Sequence, residues 1–376
     1  MGVTAIKSLV NTTPGRVSIH DHENPTHPGN NTDADPYTTA ACDMWIPWCT
    51  SPDDWRNQKY ITIEWGGQPR YWVWQAAHGD GDFVRYSTSG QYEDPGRQAS
   101  GFAGVDGDRR AIILDDGSLT IQEKYDPTIP WFPDAWLNEH RNWHMNAGDP
   151  AHGGRVHPMG AIGSGEEFLV FHCNFIAKVI AWYNQQSFAN PTRVAPWLAL
   201  PPELKQNPPI GGLAPWQTQF SDDHDLRLNP LRFNFQSDDD LGQFIEGGIH
   251  SWLHAAASVV YDSPPLDDPM TSAPFTYFYQ LHGLINAYWS CWRDAAIGPE
   301  PAACAPFHTR VQADQNQIAA LEAELADLPP RDPDRREIAL RIAALQRDIA
   351  AQQQSAPPGC RWRPWPRCTP LRPLGS

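Results

Sequence analysis

Six of the fourteen histidines fall into a pattern that occurs twice. His140 and His144 stand four apart in EHRNWH, and His172 follows 28 residues after the second. His250 and His254 stand four apart in EGGIHSWLH, and His282 again follows after 28 residues. On a helix, an i,i+4 pair aims two side chains the same way. A third imidazole from a facing helix completes a three-nitrogen set, and imidazole suits copper, zinc, nickel and iron. Two such sets facing each other could hold dioxygen between two metal ions. A single HxxxH is a weak signal, because core and surface histidines often reach that spacing. Two copies, each followed by an apolar helix with a further histidine, form a strong one. The near absence of Glu-x-x-His pairs argues against a carboxylate-bridged di-iron bundle.

The elements that must carry these residues can be read from the apolar spacing. Apolar segments of helical period cover 167–184, 243–258 and 277–292. With the EHRNWH segment they predict four main helices in a domain spanning 125–308. Proline-rich links join them, notably PTRVAPWLALPPELKQNPPIGG at 191–212. Residues 1–124 read differently. YITIEW, YWVWQ, RAIIL and SLTIQ are short runs rich in branched and aromatic residues, and turn signals separate them. Asp116-Gly117 marks a hairpin. These runs predict a β-sandwich-like domain. Trp45, Trp48, Trp65, Tyr71, Trp72 and Trp74 suit either core packing or a sugar-binding platform.

Val311, Ile318, Leu321, Leu325 and Leu328 share one helical face, and Pro329, Pro330 and Pro333 interrupt the run. Ile338, Ile342, Leu345 and Ile349 form a second stripe. Residues 309–354 therefore predict a helical hairpin, which serves either a homo-oligomer or its own chain. Residues 355–376, rich in Pro, Trp and Arg, read as an extended tail. The expected class is thus a multidomain protein: an N-terminal β-sandwich-like domain, a central mainly-α four-helix bundle with a binuclear metal site, and a C-terminal helical hairpin.

Charge and composition narrow the function. Lys and Arg total 28 against 44 Asp and Glu, a formal charge of −16. That disfavours a nucleic-acid surface. No stretch approaches a membrane span, and the first residues lack the pattern of a secretory signal, so a cytoplasmic protein is the expectation. Seven cysteines are an odd number. Cys42 with Cys49 and Cys360 with Cys368 are possible pairs, whereas Cys173, Cys291 and Cys304 do not suggest a disulfide scaffold. Mostly reduced thiols are expected.

Over residues 136–292 the chain resembles the type 3 copper proteins: tyrosinases, catechol oxidases, phenoloxidases and haemocyanins. GEEFLVFHCNFIAKVIAWYN at 165–184 is similar to the third-ligand segment of the first copper site in arthropod phenoloxidases and haemocyanins. His250-Ser-Trp-Leu-His254 resembles the HNxxH pattern of the second site. Ala273-Pro274-Phe275, leading to His282, Asn286 and Trp289, resembles the segment DPxFxxxHxxxDxxW. The β-rich region and the hairpin are not covered by this likeness.

The resemblance implies two copper ions per chain, copper A on His140, His144 and His172, and copper B on His250, His254 and His282. His152 and His157 lie close to the first set, and a tyrosinase-like variant would place His157 there instead of His140 or His144. Ser251 stands where the family often has Asn. That Asn acts with a nearby Glu to orient a water that deprotonates monophenols, and Glu246 is either the matching Glu or a charge at a helix start. Loss of the Asn shifts the expectation from hydroxylation towards diphenol oxidation. Asn286 replaces an Asp that orients a ligand, and Phe168 or Phe275 could cover the copper pair or stack on substrate. Cys173 adjoins His172 on a helix and faces elsewhere, and no Cys-x-His supports a thioether.

The implied activity is oxidation of o-diphenols, with monophenols or o-aminophenols as further substrates, to o-quinones by O2 bound side-on between the coppers. Pigment formation or tailoring of an aromatic natural product would be its setting. The rival readings are a haemocyanin-like dioxygen carrier, a non-catalytic scaffold whose β-domain binds a partner or glycan, and a zinc site on the same histidines. No membrane or nucleic-acid partner is expected.

Overall fold

The computed structural model describes residues 4–27, 29–78, 81–94, 96–101, 107–114, 116–205, 235–297, 304–328 and 334–354. The chain divides into two compact units. One comprises Met1–Asp126, Pro201–Gln217 and Ala255–Pro264, and the other Pro127–Leu200, Thr218–His254 and Pro265–Ser376. The tail expected at 355–376, with Cys360 and Cys368, lies outside the described residues.

The first unit holds two sheets. Strands β1 (Thr4–Asn11), β4 (Thr38–Trp45), β10 (Gly107–Ile113), β11 (Leu119–Glu123) and β9 (Ser100–Gly101) form one, in the order β4-β1-β10-β11-β9. The other runs β3-β2-β5-β6-β7-β8, built from Asn31–Ala34, Val17–Asp21, Ile61–Trp65, Gln68–His78, Gly81–Ser87 and Arg97–Gln98. β2 alternates buried and half-buried residues, the period of a strand with one face in a core. Ile6, Leu9, Ala111 and Ile121 of the first sheet share one apolar cluster with Val17, Ile19, Ile63 and Val73 of the second. The two sheets thus enclose a common core in the manner of a sandwich. β10 and β11 pair antiparallel around Gly117, whose φ of 81° explains the glycine.

The expected boundary at residue 124 falls at Asp126, and two later stretches also belong to this unit. Glu203 of the short helix α4 (Pro202–Lys205) is buried, and it accepts hydrogen bonds from Gln122 at 2.8 Å and Tyr261 at 3.0 Å. Thr39 donates to the Val259 carbonyl at 3.0 Å. The aromatic residues suggested as a sugar platform are mostly spent on packing. Trp74 is fully buried and meets Trp55 of the short helix α1 (Pro52–Arg56) edge-on, and both pack with Tyr92. Trp65 and Tyr71 pack on the sandwich core, leaving Trp45 exposed.

The second unit carries the histidines. Its helices are α2 (Asp134–Met145), α3 (Ser164–Tyr183), α5 (Asp238–Ile245), α6 (Ser251–Val260, of which the first four residues belong here), α7 (Thr276–Ile297), α8 (Ala305–Asp327) and α9 (Asp334–Gln354). Between α5 and α6 the chain makes a π turn over Glu246–His250. The four expected helices are present as α2, α3, the α5–α6 run and α7. The third of them is interrupted by the π turn, and the arrangement is not clearly a four-helix bundle.

The acidic start of α5 ties three helices together. Asp238 accepts from Arg293 and from Trp289 Nε1, both on α7, at 2.7 and 2.6 Å. Asp239 accepts the backbone N–H groups of Gly163 and Gly165 at 2.8 and 2.7 Å, so it caps α3 from another helix. α3 and α5 touch at Gly165 and Gly242, where an added Cβ would lie 2.1 Å from backbone oxygen on the facing helix.

The hairpin begins at Ala305, four residues before its expected start. Phe307, Val311, Ile318 and Leu321 of α8 pack with Ile338, Ile342 and Ile349 of α9 in one cluster, and α8 also lies on α3. The apolar stripes that would serve an oligomer interface are therefore used within the chain. Two cysteines depart from expectation. Cys291 and Cys304 are disulfide-bonded, while Cys42 and Cys49 are free thiols rather than a pair, and Cys173 is in no disulfide. Burial pushes the Cys42 thiol up to about 12.

Candidate metal centre

The six histidines singled out by spacing gather in one place. On α2, Trp136, His140 and Trp143 are buried at intervals of four and three, the stripe a helix turns towards its neighbours. His140 and His144 then sit 4.7 Å apart between ring centroids, and His172 on α3 lies 5.5 and 5.4 Å from them. In the second set His250 closes the π turn, 4.6 Å from His254 on α6 and 4.9 Å from His282 on α7. His254 and His282 are 5.1 Å apart. His172 belongs to both neighbourhoods, stacking on the His282 ring at 4.8 Å with 9° between planes.

Hydrogen bonding fixes which nitrogen faces inward. The Nδ1 atoms of His172 and His282 donate to carbonyls one turn earlier in their own helices, those of Phe168 at 3.0 Å and Phe278 at 2.8 Å. His140 Nδ1 donates to the Pro269 carbonyl at 2.9 Å, and His254 Nδ1 to that of Leu266 at 2.6 Å. Both latter acceptors lie on the loop before α7, so one short segment orients a histidine from each set. A carbonyl can only accept, so in these four rings the proton is on Nδ1 and Nε2 keeps its lone pair.

The lone pairs of His140 and His172 meet no donor, whereas that of His282 faces His250 Nε2 within hydrogen-bond distance. Nε2 of His140 and His172 and Nδ1 of His250 are buried without a hydrogen-bond partner, and His250 Nε2 lies 3.1 Å from His282 Nε2. Leaving buried polar atoms unpaired costs about 1–3 kcal/mol each. A cation answers that cost by taking the lone pairs. The nitrogens of His140, His144 and His172 lie within 4.8 Å of one another, as do those of His172, His250 and His282; His254, expected in the second set, is in neither group, although its ring lies beside those of His250 and His282. That spread approaches what metal–nitrogen bonds of about 2.0–2.1 Å subtend. The donor set is all imidazole, which fits copper or zinc and not the oxygen-loving ions.

Burial keeps the rings neutral, as ligation requires. Desolvation lowers all six, holding His140, His172, His250 and His282 well below the ordinary imidazole range. His144 falls to about 3, with the charges of His254 and Arg155 adding to the loss of solvent. His254 falls to about 4. His144 is the only one of the six that is partly exposed.

Aromatic rings wall the cluster. Phe168, fully buried, lies 4.6 Å from His172 and 4.8 Å from His250. Phe275 instead is half-buried in an antiparallel bridge with Thr128. The residue that touches the histidines from that segment is Phe278, 4.0 Å from His282 and 5.0 Å from His140. Its spacing one turn before His282 was the available signal. Trp143 and Phe171 stack at 4.4 Å beside His172.

The remaining expected residues have other roles. Glu246 is buried and held by Arg155, whose Nη2 donates to it at 3.2 Å while Nη1 makes a second bond. Ser251, on the exposed side of its helix, donates to the Glu246 carbonyl at 2.9 Å. Asn286 is buried with an unpartnered amide nitrogen. His152 pairs with Asp149 and is exposed. His157 pairs with Glu167 at 3.0 Å, on the loop before α3 and outside both nitrogen groups. Cys173 is buried beside His172. Comparison of the chain with protein-family models, with curated proteins and with solved structures found no match.

Proposed function

We propose that this chain is a copper-dependent oxidase of o-diphenols. His140, His144 and His172 would hold one copper ion, and His250, His254 and His282 a second. The observation that carries the reading is the gathering of six largely buried imidazoles, four of them anchored to carbonyls through Nδ1, with His140 and His172 each keeping an unpartnered inner nitrogen. When bound, the copper pair would supply dioxygen binding and electron transfer, so that two o-diphenols and one O2 give two o-quinones and two waters.

The chain's own residues do the rest. Carbonyl anchors hold the imidazoles in the ligating tautomer. Phe168 and Phe278 exclude water and offer ring faces to an aromatic guest. His144 marks the side from which a small phenol and O2 approach. Glu246 is bound to Arg155 at both oxygens, so it is not free to take a proton from a monophenol. This favours oxidation of diphenols over hydroxylation. Among the described residues no helix is long and apolar enough to cross a membrane. The disulfide-bonded Cys291 and Cys304 favour an oxidising compartment over the cytoplasm.

The test is copper content together with O2 uptake on catechol. Two ions per chain and catechol-dependent uptake are expected. Two ions without turnover would move the reading to dioxygen carriage, and copper at background would overturn it.

A further inference from the structure

We infer that Arg155 is the positioning residue that sets the second histidine set against the first; this rests on the binuclear reading above. Arg155 comes from the loop between α2 and α3, in AHGGRVHPMG. Its guanidinium is almost wholly buried, and it meets three elements that carry metal-site histidines. Towards α2, it lies 4.5 Å over the Trp143 ring, and its own N–H donates to the Trp143 carbonyl at 3.2 Å. Trp143 adjoins His144 and contacts its ring at 4.8 Å. Towards α3, Nη2 donates to the Ser164 carbonyl at 2.8 Å. Towards the π turn, both terminal nitrogens bond Glu246.

The π turn needs such a tie. Its sequence, EGGIH, has two glycines, which lower helical stability by roughly 1 kcal/mol each relative to alanine. His250 closes that turn, and its Nδ1 has no carbonyl anchor. The rings of His140, His172, His254 and His282 are aimed by the backbone. Apart from the 3.1 Å contact of its Nε2 with His282 Nε2, His250 is aimed by the turn that bears it. Among the described residues, the side-chain tie from that turn to both α2 and α3 is Glu246 through Arg155. A planar guanidinium can hold a carboxylate with two donors, reach a carbonyl and stack on indole at once, which an ammonium cannot do.

The test compares wild type, Arg155→Met/Glu246→Met and Arg155→Lys. Removing both charges together avoids stranding one, and such replacements are often neutral for stability. Copper is titrated into each apoprotein, and cobalt(II) absorption reports the ligand field of each site. Wild type should take two ions. The double variant should keep its first ion, bind the second at least tenfold more weakly, and lose one component of the cobalt spectrum. Arg155→Lys should recover part of the second site's affinity. If the double variant does not fold, Arg155→Lys decides alone, with weakened second-ion binding expected. Two ions at wild-type affinity with an unchanged cobalt spectrum in the variants would overturn the inference. No ion in wild type would instead overturn the binuclear reading, and the inference with it.

Discussion

The two histidine sets share a plan and differ in how it is held. Each has an i,i+4 pair and a third ring from a long helix, and in each the third ring is anchored to the carbonyl four residues earlier. In each, one member of the pair is also anchored, His140 in the first and His254 in the second. The unanchored members sit in different settings. His144 ends a regular helix whose buried stripe already directs it. His250 ends a π turn with two glycines, inside a helical run that would otherwise be continuous. The first set is thus positioned by helix periodicity, the second by periodicity plus a buried ion pair.

This contrast can be broken most severely at His172, whose nitrogen groups with both sets. His172→Ala should leave less than one copper per chain, whereas His254→Ala should leave one. Metal analysis of the purified variants checks both. Equal losses would mean that His172 supports the first ion alone and not the second set, on which its ring stacks.

Acid should act on both sets in the metal-free protein. All six rings have native pKa values lowered by burial, so the unfolded chain takes up protons first, near 6.5. Stability is complete above that pH. It falls as pH drops towards the native values, about 4 for His254 and about 3 for His144, by on the order of 1 kcal/mol per histidine per pH unit. Urea unfolding at pH 7.5 and 5.5 should show several kcal/mol of difference. Copper, which binds the neutral rings, should resist that loss until protons displace it.

A smaller effect is expected from the packing that joins α3 to the π-turn run. Gly165→Ala would push a methyl group into the backbone of α5 and should cost about 2–3 kcal/mol. Asp239→Ala removes the cap of α3 and should cost about 1–2 kcal/mol. Thermal unfolding measures both. The smallest change is predicted for His157→Ala, which should keep full copper content because His157 is paired with Glu167 on the loop before α3.

What the sequence made legible was whatever leaves a period. Helical spacing isolated the six histidines, the hairpin stripes and the apolar faces of α3 and α7, and short runs of branched and aromatic residues between turn signals isolated β5, β6, β10 and β11. Contacts made through backbone carbonyls left no trace, because Pro269 and Leu266 are chosen for position and not for side chain. Arg155 was hidden for a related reason: it lies in an irregular loop, and its partner Glu246 is 91 residues away. Phe278 was passed over for Phe275 because a motif likeness outweighed the one-turn spacing to His282. The disulfide-bonded cysteines were obscured by an odd total. The fragments 201–205 and 255–264 joined the β unit through single buried polar residues such as Glu203, which composition does not reveal.

The central claim is that six imidazoles hold two metal ions side by side. Crystals of copper-loaded protein, measured at the copper absorption edge, test it most directly. The account predicts two anomalous peaks, one within about 2.0–2.1 Å of nitrogens from His140, His144 and His172, the other similarly placed for His250, His254 and His282. A single peak, a peak on His157, or none would contradict it.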